Sequence, residues 1–383
     1  MITIALKLLT SNKQQPPCRQ YMIINPLAIT AAFANINPNP NSQAAIFLLI
    51  RRESEGEKMV NWVEAQKPLL HGLVKMAGLR QLTVEIEPGT SMSFWVPKDK
   101  LPKTKNTTKE VFPVGKTGSV SGANKKEKPV VVLIHGFAAE GIVTWQFQVG
   151  ALTSRYAVYV PDLLFFGGSV STSADRSPEF QAHCLAMALG RLGVARCTVV
   201  GFSYGGMVAF SMAAARPELV EAIVVSGSII AMTDSISTET MERLGFSSSK
   251  ELLLPQTVKG LKALFKVATY KKLWLPERLF KDYLKVMFNN RKERAELLEA
   301  LINSSKEANV PVFRQRILLL WGENDNLFNV GLAKDMKEQL GEIATLQPVK
   351  KAGHLVHLER PCVYNRQLKQ FLALVNSSSE NKI

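Results

Sequence analysis

Five short runs of apolar residues, most of them β-branched and none broken by a charge, constrain this chain more than any other feature. They lie at 129–134, 156–160, 198–200, 222–225 and 317–321. Apolar residues at helical spacing fill 177–192 and 205–216, and a further helical stretch closes the chain near 362–375. A strand that is apolar at every position is buried on both faces, and strands that alternate with helices run parallel. The expected fold class is α/β, with a mostly parallel central sheet and helices on both faces. The rhythm stops from about 230 to 311, where the sequence turns helical and basic. That interruption reads as a helical cap, 230–311, inserted into a core made of 59–229 and 312–383.

Upstream, 81–87 alternates like a strand, Pro88-Gly89 is a turn, and 92–96 returns as a second strand. Before them, Val60, Val63, Leu69, Leu70, Leu73 and Val74 recur at helical spacing, with Pro68 expected to break the helix. The Lys-, Thr- and Gly-rich stretch 98–128 reads as an exposed loop. Residues 1–58 differ in texture: the first 52 carry Lys7, Lys13, Arg19, Arg51 and Arg52 and no acid. They read as a disordered extension, with Met59 as an alternative start and organelle targeting as the other reading.

Composition narrows the class. Of 383 residues, 46% are hydrophobic, enough for one large core with an inserted subdomain. Cys18, Cys184, Cys197 and Cys362 are scattered without zinc or disulfide spacing, which points to a reducing compartment and the cytoplasm. The longest uncharged stretch, between Arg19 and Arg51, is broken by Asn25, Pro26 and the polar run 35–41, so no membrane span is expected. The net charge of +15 favours anionic partners. Within 259–292 ten basic residues face only Glu277 and Asp282, interleaved with apolar residues at helical spacing. The stripe is expected to roof the site with its lysines in solvent. The second reading is peripheral contact with an anionic membrane. No nucleic-acid-binding module is recognisable.

The chemistry-bearing signal is Gly201-Phe202-Ser203-Tyr204-Gly205 between an apolar strand and a small-residue helix. A serine on so sharp a strand-to-helix turn needs small neighbours two residues away on either side, and the first amides of the helix then face a developing oxyanion. Serine needs a base. Of the five histidines, His71 and His183 sit in helical segments. His354 follows a last strand at 344–349, where parallel sheets place their sites. His354 is the expected base, with His357 expected to be structural and His135 to fix a loop. Asp325, after the strand at 317–321, is the expected orienting carboxylate, with Glu323 and Asp234 as alternatives. Backbone N–H groups of Phe137 and Tyr204 are the expected oxyanion donors.

Five stretches in order (135–141, 161–168, 201–206, 320–325 and 353–361) make the chain from Met59 onward resemble α/β-hydrolase-fold proteins of the plant monoacylglycerol-lipase-like type. The resemblance implies the triad Ser203, Asp325 and His354 with donors Phe137 and Tyr204. It implies a serine hydrolase acting on a carboxylic ester or lipid, with no metal or organic cofactor. Epoxide hydrolases and dehalogenases share the motif order but use Asp at the elbow, where this chain has Ser203. An acyltransferase pattern needs Asp where Glu359 stands. A receptor with slow turnover, or a lyase, could keep the same triad. The long 98–128 loop and residues 1–58 depart from the family pattern.

Overall fold

The computed structural model describes residues 61–101, 111–112, 127–273, 275–303 and 311–380. The 1–58 extension, the start at Met59 and most of the 98–128 loop lie outside them. Nine strands are described: β1 (Leu79–Glu87), β2 (Thr90–Pro97), β3 (Val111–Phe112), β4 (Val130–Ile134), β5 (Ala157–Pro161), β6 (Cys197–Phe202), β7 (Val220–Ser226), β8 (Arg316–Gly322) and β9 (Ala344–Val349). They form one sheet in the order β3-β1-β2-β5-β4-β6-β7-β8-β9. The five uninterrupted apolar runs fall in β4 to β8, and β4 to β9 are parallel throughout. β1 and β2 form an antiparallel hairpin that joins the sheet through β5. Helices Trp62–Met76, Pro178–Arg191, Tyr204–Ala215, Val330–Leu340 and Pro361–Glu380 flank the sheet. The fold is the α/β-hydrolase fold.

Strand order positions the site. From β4 the chain crosses to β5 on one side, and β6 then lies on the other side of β4. Loops leaving β4 and β6 therefore diverge, which opens a crevice at their carboxyl ends. His135, Gly136 and Phe137 leave β4 there, and Ser203 leaves β6.

Between β7 and β8, five helices are described: Asp234–Leu244, Ser249–Leu253, Val258–Ala268, Glu277–Met287 and Arg291–Asn303. Thr233, Ser248 and Thr257 cap the first three through their hydroxyls. On Val258–Ala268, Leu261, Leu264 and Ala268 are buried while Lys259, Lys262 and Lys266 are exposed. The insertion is pinned to the core through Phe165. Its carbonyl accepts from Asn290 Nδ2 at 3.1 Å and Arg294 Nε at 3.2 Å. The Arg294 guanidinium is buried, lies 4.1 Å from the Phe166 ring centroid, and also donates to the Met287 carbonyl and Asn289 Oδ1. Burial lowers its pKa to about 10, so it stays cationic at neutral pH.

Two local expectations fail. Pro68 does not break its helix, which runs unbroken from Trp62 to Met76. Tertiary contacts hold both sides of the proline: Trp62 N–H donates to Asp282 Oδ2, Lys67 pairs with Glu140 at 2.7 Å, and Leu70 and Val74 are buried. Within the stretch read as a loop, Val111–Phe112 pairs parallel with β1, a bridge too short to show periodicity.

Candidate active site

Ser203 is the hinge between β6 and the helix Tyr204–Ala215, with φ 53° and ψ −124°. A non-glycine residue at positive φ is strained and persists only where its surroundings hold it. Here Ser203 N–H donates to the Ser226 carbonyl of β7 at 2.9 Å, and Ser203 C=O accepts from Gly206 N–H at 2.8 Å. Side chains at the flanking glycines would collide. A Cβ on Gly201 would lie 2.5 Å from the Gly205 carbonyl oxygen, and one on Gly205 would lie 2.3 Å from that of His135.

Asp325 leaves β8 and His354 leaves β9, and the two meet. His354 Nδ1 lies 2.9 Å from Asp325 Oδ2, both side chains buried. The other carboxylate oxygen accepts the N–H groups of Leu327 at 2.8 Å and Phe328 at 2.9 Å. A carboxylate only accepts, so Nδ1 carries the proton and Nε2 is left basic. The rings of Phe202 and Phe328 flank the imidazole, with centroids at 4.9 and 5.9 Å. The alternative carboxylates are elsewhere: Glu323 and Asp234 are both exposed.

The other histidines divide sharply. His183 is exposed, and His71 stacks edge-on against Trp95 with centroids 4.9 Å apart. His135 is buried and bonded at both nitrogens. Leu163 N–H donates to Nε2 at 2.9 Å, so Nδ1 carries hydrogen and donates to the Gly136 carbonyl at 2.6 Å. It ties the β4 loop to the β5 loop, and burial holds its pKa down to about 4. His357 is also fully buried, in the single turn Val356–Glu359, before the closing helix begins at Pro361. Neither of its ring nitrogens has a hydrogen-bond partner among the described residues. Burial, followed by the neighbouring His354, lowers its pKa to about 3.

Glu359 has a positioning role that its sequence position did not disclose. Its Oε2 accepts Gly353 N–H at 2.6 Å, and Oε1 accepts Tyr270 and Lys271 N–H at 2.8 and 3.2 Å. One carboxylate thus joins the His354 loop to the insertion, reinforced by Leu355 N–H to the Ala268 carbonyl at 3.1 Å. Burial raises the Glu359 pKa against the pull of those three N–H groups. The spacing of five from His354 was the only signal available for it.

Two chambers meet at Ser203. The larger, about 110 Å³, is lined by Phe137, Gln146, His354, His357 and residues of the insertion such as Leu264 and Phe265. The smaller, about 40 Å³, is lined by Phe137, Tyr204, Met207, Met241, Leu298 and Phe328. Phe137, Ser203, Leu253 and Leu327 border both. Tyr204 is the first residue of its helix and Phe137 lies in the β4 loop, with their rings edge-to-face at 5.9 Å. A serine hydroxyl and an imidazole that border the same largely apolar chamber are groups suited to nucleophilic attack on a carbonyl. Among the described residues no helix is long and apolar enough to cross a membrane.

Comparison with known proteins agrees with this architecture. A model of the alpha/beta hydrolase family matches residues 131–367. Epoxide hydrolase 4 of Homo sapiens is 25% identical over 287 residues, covering 65% of this chain and 74% of its own length. Monoacylglycerol lipase ABHD6 of Homo sapiens is 24% identical over 272 residues, covering 67% and 78%. The crystal structure of a membrane phospholipase A superposes with a TM-score of 0.63 at 21% identity, covering 88% of this chain and 99% of that one.

Proposed function

The chain belongs to the alpha/beta hydrolase family, and from that premise we propose that it is a serine-dependent hydrolase of carboxylic esters. The observation that carries this reading is the buried 2.9 Å contact of His354 Nδ1 with Asp325 Oδ2, beside a serine held at φ 53°. Ser203 Oγ attacks the ester carbonyl while His354 Nε2 takes its proton. The backbone N–H groups of Phe137 and Tyr204 receive the oxyanion. His354 returns the proton to the leaving alcohol. Water then attacks the acyl-enzyme, with the same imidazole as base. Asp325 keeps the ring oriented and its tautomer fixed.

Relatives named for epoxides and for monoacylglycerols both occur, and the nucleophile separates the two chemistries. A serine that opened an epoxide would be left as an ether, which a histidine-activated water does not cleave. A serine that attacks an ester becomes an acyl-enzyme, which such a water does cleave. Ser203 therefore favours the ester. The apolar walls favour an acylglycerol-like substrate, and the exposed Lys259, Lys262 and Lys266 favour delivery from an anionic lipid surface.

The test is active-site labelling with a fluorophosphonate probe together with turnover of p-nitrophenyl esters. Labelling at Ser203 is expected, and Ser203→Ala should remove labelling and lower turnover by about 10⁶-fold. Labelling that survives in Ser203→Ala would remove Ser203 as nucleophile. Labelling followed by a single stalled turnover would favour a ligand-binding role.

A further inference from the structure

The helix Asp234–Leu244 presents hydroxyls to the smaller chamber. Its buried residues are Ser237, Thr240 and Met241, and all three line that chamber. An inward helix face is ordinarily apolar. Here Ser237 and Thr240 are only 8% and 7% exposed. Their spacing sets the two side chains next to each other on one face. A buried hydroxyl on a helix commonly bonds a carbonyl one turn back, and the larger chamber follows that habit. Thr144 Oγ1 donates to the Glu140 carbonyl at 3.0 Å, and Thr269 Oγ1 donates to the Phe265 carbonyl at 2.8 Å. Both threonines line the larger chamber. Ser237 and Thr240 depart from it. Neither hydroxyl has a hydrogen-bond partner among the described residues, and neither oxygen is one of the unpaired atoms sealed inside the protein, so both keep open surface in the chamber wall.

The two chambers divide the substrate between them. In the reaction above, His354 hands its proton to the leaving oxygen, and His354 lines the larger chamber and not the smaller. The alcohol half of the ester therefore occupies the larger chamber, and the acyl half takes the smaller. Met207, Met241 and Leu298 suit the hydrocarbon of an acyl chain. A plain alkyl chain packed there would leave both hydroxyls dry and unpaired, which opposes binding. A carbonyl oxygen on the chain has two lone pairs and accepts from both hydroxyls at once.

We propose that Ser237 and Thr240 form an acceptor-binding subsite in the acyl chamber, which makes esters of oxo-substituted acids better substrates than esters of plain alkanoic acids. The proposal rests on the ester-hydrolase reading above. The chemistry is unchanged: the acyl–oxygen bond at Ser203 breaks as before, and the second oxygen of the chain is held and takes no part in it.

The experiment compares kcat/KM for two pairs of p-nitrophenyl esters: 4-oxopentanoate with 4-methylpentanoate, and 5-oxohexanoate with 5-methylhexanoate. Within a pair the leaving group and chain are the same, and an oxygen replaces a methyl group. Each rate is divided by that of hydroxide-catalysed hydrolysis, which removes intrinsic reactivity. Wild type should favour the oxo ester of at least one pair by about 10- to 100-fold, since a site built to hydrogen-bond a group rejects the analogue that lacks it. Ser237→Ala and Thr240→Val, made separately, should each lower that ratio about tenfold, and Thr240→Ser should retain most of it. A merely structural role would slow both esters of a pair together and leave the ratio unmoved. That result, or ratios near one in wild type for both pairs, would overturn the subsite. A parallel arm measures the thermal shifts that the same esters give to Ser203→Ala, with and without Thr240→Val. A larger shift from an oxo ester that Thr240→Val removes, with no ester turned over by wild type, would overturn the hydrolase reading and keep the subsite. Equal shifts within each pair and no turnover would overturn both.

Discussion

Around Ser203 the backbone does the positioning, whereas the helical insertion is held over the site by side chains, a buried apolar face together with a set of polar contacts. The elbow is fixed by glycines that cannot accept a Cβ and by the main-chain bond from Ser203 to Ser226. The insertion hangs on Arg294 and Asn290 at the Phe165 carbonyl, on the Arg176–Glu296 pair at 2.8 Å, and on Glu359 reaching Tyr270 and Lys271. The first region is stiff because its contacts are steric and local. The second buries apolar side chains such as Leu264 and Leu298 in the common core, so parting it from the sheet would cost that burial as well as its hydrogen bonds. The contrast teaches that the elbow is set by local sterics, whereas the insertion's share of the chamber wall is set by long-range packing.

Three substitutions probe that contrast. In the stiff region, Asp325→Asn keeps an oxygen for the Leu327 and Phe328 N–H groups but turns an amide toward His354. The wrong tautomer should lower kcat by about 10⁴-fold with the fold retained. Steady-state kinetics and circular dichroism check it, and a loss below about tenfold would mean that Asp325 does not orient the base. At the joint between regions, Glu359→Gln sets an amide NH₂ against backbone donors on one side. Displacing the His354 loop should lower kcat/KM by about 10²-fold, and unchanged kinetics would mean that the loop holds itself. In the insertion, Arg294→Met removes a buried cation together with its bonds to carbonyls. Stranding those carbonyls should cost about 2 kcal/mol, a drop in melting temperature of roughly 5 °C. A melting temperature that rises would mean that desolvation of the guanidinium outweighs its hydrogen bonds.

The sheet was legible because uninterrupted apolar runs have one use in a chain of this length. The runs at 129–134 and 222–225 lie in β4 and β7 with the neighbours that parallel order requires. The elbow was legible for a steric reason, since Gly201 and Gly205 mark a turn that only small residues permit. Other features were illegible. Pro68 signals a break, yet contacts to Asp282 and Glu140 override it. Val111–Phe112 is too short to carry a pattern. Glu359 looked like a residue of a closing motif, and nothing in its neighbours in sequence shows that it bonds to Tyr270, 89 positions away.

From the sequence alone come the parallel sheet, the strand-to-helix serine turn and the chain order of Ser203, Asp325 and His354. These follow from periodicity and sterics that act within a few residues. The tertiary structure alone decides that Asp325, and not the exposed Glu323 two positions earlier, reaches His354. It alone separates His135, bonded at both nitrogens, from His357, bonded at neither among the described residues. The reason is physical: whether a polar atom is buried and paired depends on groups brought from distant parts of the chain, as when Gln148 meets His357 across 209 positions.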